Sequence, residues 1–379
     1  MKWALLILFF SVAEAKFSLK EELKKEMPLP KAYKVETPIG SLKIPSVDKK
    51  IISNTVGNGI QKLESNIGPK QPLTCFITRT SFSGATIHAL KNSIFKDLEI
   101  IGINQLKVGR GKRSPYTSVN YLYKVPKKSA VGLAKIYISN IYNYNIRCLH
   151  NQLGYSKLAE DSFLTLLNSF VPKNGKYDHL RSNEIFRIQT KAGHIGHSQV
   201  RKFDLGKGKN LFHNHILLVL KTENKGVVYN DIWDIYEVDK DGKIIKGFYT
   251  MKENGVTFNN IILKKGSGDN YKVNGLFRKK RISGRVLFKD GLLSNEKVME
   301  HIKRGIGNKK ELKFMAYDAN FDPLRALHSK YSILETKNEE TKIKYTLEKS
   351  HYLLHFKNKE YIGMDYLDQG FPAQFIKLK

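Results

Sequence analysis

The chain has 379 residues, and its 65 Lys and Arg against 35 Asp and Glu give a formal charge of +30 at neutral pH. With 41% hydrophobic and 11% aromatic residues it can bury a core, which excludes a disordered chain. At about 100 to 200 residues per domain, the length predicts two folding units.

Residues 1–15, MKWALLILFFSVAEA, read as a secretory signal peptide: Lys2, an apolar run from Trp3 to Val12, and the small-residue end Ala13-Glu14-Ala15. Cleavage would leave Lys16 first in an exported protein, periplasmic or secreted, with no cysteine there for a lipid anchor. No later run approaches the ~20 apolar residues of a membrane helix, so no transmembrane segment is expected. Residues 16–70 read as a Lys- and Pro-rich extension, because Pro28, Pro30, Pro38 and Pro45 oppose a regular helix.

Residues 71–175 predict a small α+β domain, an antiparallel sheet with packed helices. A strand at Leu73–Thr78 carries Cys75, Ile87, Leu90 and Ile94 mark a helix, and strands follow at Leu98–Val108, Val119–Val125, Val131–Ile141 and Tyr144–His150. Phe163, Leu166, Leu167 and Phe170 then recur at helical spacing, with Ser156 as the expected N-cap and Pro172 as the stop. Residues 176–379 predict mainly strands. Ile282, Gly284, Val286 and Phe288 alternate with Arg281, Ser283 and Arg285, and Ile343, Tyr345 and Leu347 alternate with Lys342, Lys344 and Glu348. One helix interrupts them: Ser294 caps it, Glu296 sits in its first turn, Val298, Met299 and Ile302 form its stripe, and Gly305 ends it. The fold class expected is α+β, the second domain being a curved antiparallel sheet, a half-barrel, around one helix.

Two resemblances follow from these residues. From Cys75 to Phe170, the order strand, helix, strands and a last helix, with Gly154-Tyr155 before it and Ser169-Phe170 at its end, resembles the PsbP-like α+β fold. From Glu184 to Leu378 the chain resembles LolA/LolB-like periplasmic half-barrels, on the strand pair around Gly193-His194-Ile195-Gly196-His197, the turn Asp241-Gly242, the helix after Leu292-Leu293-Ser294, and the terminal Tyr366-Leu367-Asp368-Gln369-Gly370-Phe371-Pro372. The second resemblance implies that acyl chains or other apolar groups bind between sheet and helix. Phe248, Phe258, Phe277, Phe288, Val298, Ile302 and Phe314 are the candidate cavity lining, and ordinary core packing explains the same aromatics.

Export permits a disulfide between Cys75 and Cys148; two separate buried thiols are the other reading, and a catalytic or metal role a third. His194, His197, His213 and His215 are the densest candidate metal ligands, yet no Asp, Glu or Cys in sequence completes a ligand set, so no metal and no cofactor is expected. No nucleophile elbow is present, and Gly109-Arg110-Gly111-Lys112-Arg113-Ser114 lacks the spacing of a phosphate loop. The basic clusters Lys107–Arg113, Arg278–Arg281 and Lys309–Lys310 would suggest nucleic acid inside a cell. Export instead favours anionic envelope polymers or lipid head groups, and no nucleic-acid partner is expected. The expectation is a non-enzymatic envelope protein that holds an acyl chain, a lipoprotein segment or a partner in its C-terminal half. The alternative is an interaction module docking by its basic surface on envelope polymer, and an exported hydrolase is a third reading.

Overall fold

A computed structural model describes residues 19–379 apart from 58, 81, 97, 127–129, 142, 174–178, 223–225, 307–310 and 369–371. The signal peptide expected at 1–15, Lys309–Lys310 and part of the terminal motif lie outside the described residues. The protein is mostly β, built on antiparallel sheets.

The N-terminal unit runs through α1 (Leu19–Lys24), β1 (Ala32–Thr37), β2 (Gly40–Pro45), β3 (Ile51–Val56), β4 (Ile60–Asn66), β5 (Pro72–Thr78), α2 (Ser83–Ile94), β6 (Glu99–Arg110), β7 (Pro115–Val125), β8 (Ala130–Ile141), β9 (Tyr144–His150), α3 (Ser156–Ser169) and β10 (Val171–Pro172). β3-β4-β5-β9-β8-β7-β6 form one antiparallel sheet and β1-β2-β10 a small second one. The segment read as an extension is thus largely ordered. Its prolines mark boundaries: Pro38 sits in the turn between β1 and β2, where Thr37 bonds Gly40, and Pro45 ends β2. Leu42 and Ile44 of β2 are buried in the same core as Leu63, Ile77, Ile146 and the α3 stripe Phe163, Leu166, Leu167 and Phe170. Each such side chain contributes about 1.5–3 kcal/mol.

Helix α3 begins differently from expectation. Tyr155, in the left-handed region at φ 54°, occupies the N-cap position and Ser156 is the first helical residue. The cap comes from afar: the Glu26 carboxylate accepts from the amides of Lys157 (2.8 Å) and Leu158 (3.1 Å).

The C-terminal unit contains β11 (Leu180–Thr190), β12 (Gly193–Gly206), β13 (Lys209–Thr222), β14 (Gly226–Val238), β15 (Ile244–Glu253), β16 (Val256–Lys265), β17 (Asn270–Phe277), β18 (Lys280–Leu287), α4 (Asn295–Gly305), β19 (Leu312–Ala316), β20 (Leu327–Lys337), β21 (Glu340–Leu347), β22 (Ser350–Lys357), β23 (Glu360–Tyr366) and β24 (Ala373–Lys377). They form one fourteen-stranded sheet in two wings, β18 to β11 and β24 to β19, joined where β11 pairs with β24. β18 and β19 are its open edges. The sheet curls until these ends face each other: Tyr317, just beyond β19, packs on Tyr249 of β15 (5.3 Å between centroids) and on Phe288 (5.9 Å), just past β18.

Helix α4 lies against the same concave side. Ser294 caps it by accepting from the Lys297 amide at 3.2 Å, and Glu296 in its first turn reaches Lys202 of β12 at 2.8 Å. Val298 and Ile302 pack with Ile343 of β21 and Leu354 of β22. A further core joins the two units, with Ile87, Leu90, Val119 and Tyr121 packed against Leu217, Val219 and Tyr229.

Candidate binding groove

Cys75 and Cys148 form a buried disulfide between directly paired positions of β5 and β9, which settles the three readings of these residues. The sulfur is therefore not available as a nucleophile beside His150, whose Nε2 lies 3.0 Å from Gln71 Oε1.

Three of the four candidate ligand histidines serve the junction between units or lie beside it. His194 Nδ1 accepts from the Val108 amide at 3.2 Å, and His197 Nδ1 lies 2.9 Å from Thr117 Oγ1. His215 Nε2 is 3.0 Å from Asp231 Oδ1, its ring stacked on Trp233 at 4.3 Å. Asp231 Oδ2 in turn accepts from the Gly84 amide (2.7 Å) in the first turn of α2, so one buried carboxylate caps a helix of the other unit. Burial, with the charge of His215, holds His197 well below its ordinary pKa; burial lowers His215 too, against the opposing pull of Asp231. His213 packs on Phe203 at 4.9 Å, and burial, then the Arg201 charge, bring it down to about 4. Among the described residues, no three His, Cys, Asp or Glu side chains gather as a metal site would require.

The seven candidate lining residues separate. Phe288, Val298 and Ile302 are buried in packed core, and Phe277 is half-buried against the cluster around Tyr271. Phe248 pairs with Ile235 and alternates with Tyr249, so it points to the opposite face of the sheet, while Phe258 lies at an irregularity in the β15–β16 ladder. Phe314 does line an opening.

That opening is a groove of about 690 Å³ along the seam between the sheet edges. Lys289, Asp290, Gly291 and Leu293, after β18, form one wall; Lys313, Phe314, Met315, His328, Ser329, Lys330, Thr346 and Glu348 form the other. Leu293, Phe314 and Met315 supply apolar surface beside three lysines. Asp290 and Glu348 stand in the same walls, and Glu311 is shared by Lys330 (2.7 Å) and Lys313 (3.6 Å). A space of this size suits one small amphiphile.

Beside it runs a ladder of rings across five strands. Phe314, Tyr331, Tyr345, Tyr352 and Tyr366 follow one another at 5.9, 4.3, 5.2 and 5.0 Å, on the face covered by α4. The ladder leads to a second cavity of about 200 Å³ lined by Asp318, Asn320, Phe321, Leu347, Glu348, Ser350, Tyr352 and Tyr366. Glu348 lines both spaces. Nothing in the strand periodicity signals these walls, because they come from segments that only the curl of the sheet unites.

Deeper on the concave face, burial and then the charge of Asp318 raise Asp234 from 3.8 to about 7. Its carboxyl therefore keeps a proton that the unfolded chain releases above 3.8. The stability it contributes is present at low pH and lost as pH climbs towards 7. With partial solvent contact discounting the shift, Asp234→Asn should stabilise the protein by about 2 kcal/mol at about pH 8 and hardly at all near pH 4. Urea unfolding at both pH values checks this, and an equal effect at both would contradict it.

No family model matches the chain and no curated protein matches it. Among solved structures, it is similar to a β-barrel-like protein of a domain of unknown function from Brucella abortus, with 11% identity and a TM-score of 0.41 over 52% of this chain and 95% of that one. It is also similar to the cyanobacterial PsbP (CyanoP) of Synechocystis sp. PCC 6803, with 11% identity and a TM-score of 0.28 over 39% of this chain and 96% of that one.

Proposed function

We propose that the protein is a non-enzymatic, exported carrier or receptor that holds one acyl chain of a lipid or lipoprotein in the seam of its curled C-terminal sheet. The observation that supports this reading most is the groove of about 690 Å³ whose apolar wall of Leu293, Phe314 and Met315 adjoins Lys289, Lys313 and Lys330. The hydrocarbon gains by leaving water, and the lysines attract the anionic end of the same molecule. Among the described residues no helix is long and apolar enough to cross a membrane.

Calorimetric titration with dodecanoate is the test, together with native mass spectrometry of gently purified protein. Saturable binding is expected, and Met315→Trp, which fills the groove from its wall, should weaken it by about tenfold or more, roughly 1.4 kcal/mol. Absence of both co-purified lipid and dodecanoate binding would defeat the reading. The alternative, docking of the basic surface on anionic envelope polymer, draws on the charge of +30. It predicts polymer capture that salt abolishes and that Met315→Trp leaves intact.

A further inference from the structure

The two adjoining spaces differ in the charges that line them. At the seam Lys289, Lys313 and Lys330 stand with Asp290 and Glu348; past Glu348 the smaller cavity, with no cation among the described residues of its lining, presents Asp318 and Glu348 with three aromatic rings, Phe321, Tyr352 and Tyr366. Tyr352 and Tyr366 end the ladder with centroids 5.0 Å apart, and Phe321 is 49% exposed. The carboxylates are held in place by the backbone. Asp318 Oδ1 accepts from the amides of Asn320 (2.8 Å) and Phe321 (3.2 Å), and Glu348 Oε1 from that of His328 (3.0 Å). Among the described residues Arg325 is a competing cation, standing 3.8 Å from Glu348 and 3.5 Å from Asp322, the longer contact being to Glu348. Aromatic rings with carboxylates around a cavity of about 200 Å³ suit a compact organic cation, which gains both cation–π and Coulomb attraction there.

We infer that the ligand is zwitterionic: an acyl or alkyl chain in the seam, its phosphate at Lys289, Lys313 and Lys330, and a substituted ammonium in the cavity formed by Asp318, Phe321, Glu348, Tyr352 and Tyr366. The inference rests on the acyl-binding reading and names its head group. A phosphate-only amphiphile would leave the aromatic cavity and its two carboxylates unmatched, whereas a phosphocholine-type head meets both ends.

Titration calorimetry below micellar concentrations tests this with dodecanoate, dodecyl phosphate and dodecylphosphocholine. Dodecylphosphocholine should bind about tenfold more tightly than dodecyl phosphate, the increment of about one good cation–π contact with its carboxylate partners. The variant Asp318→Asn, at a carboxylate that lines the smaller cavity and not the groove, keeps the oxygen acceptor used by the backbone and should reduce that preference while leaving dodecyl phosphate affinity unchanged. Phe321→Ala, at an exposed ring, should reduce the preference without touching the carboxylates. Equal affinity for the two phosphates, or a preference that survives in both variants, overturns the head-group inference while dodecanoate binding upholds the acyl reading. Failure of all three probes to bind overturns both.

Discussion

Replacing Cys75 and Cys148 together by Ala is expected to cost about 4 kcal/mol of stability, the loop-closure value for a cross-link spanning 73 residues. That loop contains α2, β6, β7, β8 and most of β9, so the unfolded chain gains much freedom when the bond is lost. Both residues are fully buried beside Leu63, Leu73 and Ile146, and alanine also leaves a void there. Against the 5–15 kcal/mol typical of a domain, such a loss removes a large share of the margin. Urea denaturation of the double variant, compared with the oxidised parent, measures it. A loss below about 1 kcal/mol would mean that the strands around β5 and β9 hold the unfolded chain's place without the bond.

Asp231→Ala is expected to be as damaging, at about 3–5 kcal/mol. Its carboxylate is shared between His215 Nε2 and the Gly84 amide, so alanine deprives α2 of its cap and leaves a buried imidazole without its partner. The damage should concentrate at the junction of the units: amide exchange should accelerate in α2 and β14 before it does in α3. Asp231→Asn keeps an acceptor for Gly84 or for His215 and should recover part of the loss. Equal destabilisation by the two substitutions would show that charge, and not capping, carries the effect.

Features written in short-range periodicity were legible before the structure. The α3 stripe Phe163, Leu166, Leu167 and Phe170, the Ser294 cap of α4 and the alternation of Ile343, Tyr345 and Leu347 each depend on neighbours within one element. The strands of residues 32–66 were not, because each is short and its proline spacing looks like that of a linker until the turns are seen. Long-range partners left no local mark at all: Glu26 caps α3 from 131 residues away, and Asp231 caps α2 from 147. The groove was partly legible, since Phe314 was singled out among the aromatics. Lys289, Leu293, Lys313 and Lys330 were not, because they meet only when the sheet's edges approach. Phe288, Val298 and Ile302 show the converse, apolar residues whose contacts are spent on core packing rather than on an opening.

If the seam between β18 and β19 is a ligand site, an acyl chain supplied to the protein must be found in it. A crystal structure of the protein grown with ω-bromododecanoate decides the point. An anomalous bromine peak is expected against Phe314 and Met315, with the carboxylate within reach of Lys289, Lys313 or Lys330. A saturated crystal with that groove empty, or with bromine seated elsewhere on the molecule, would contradict it.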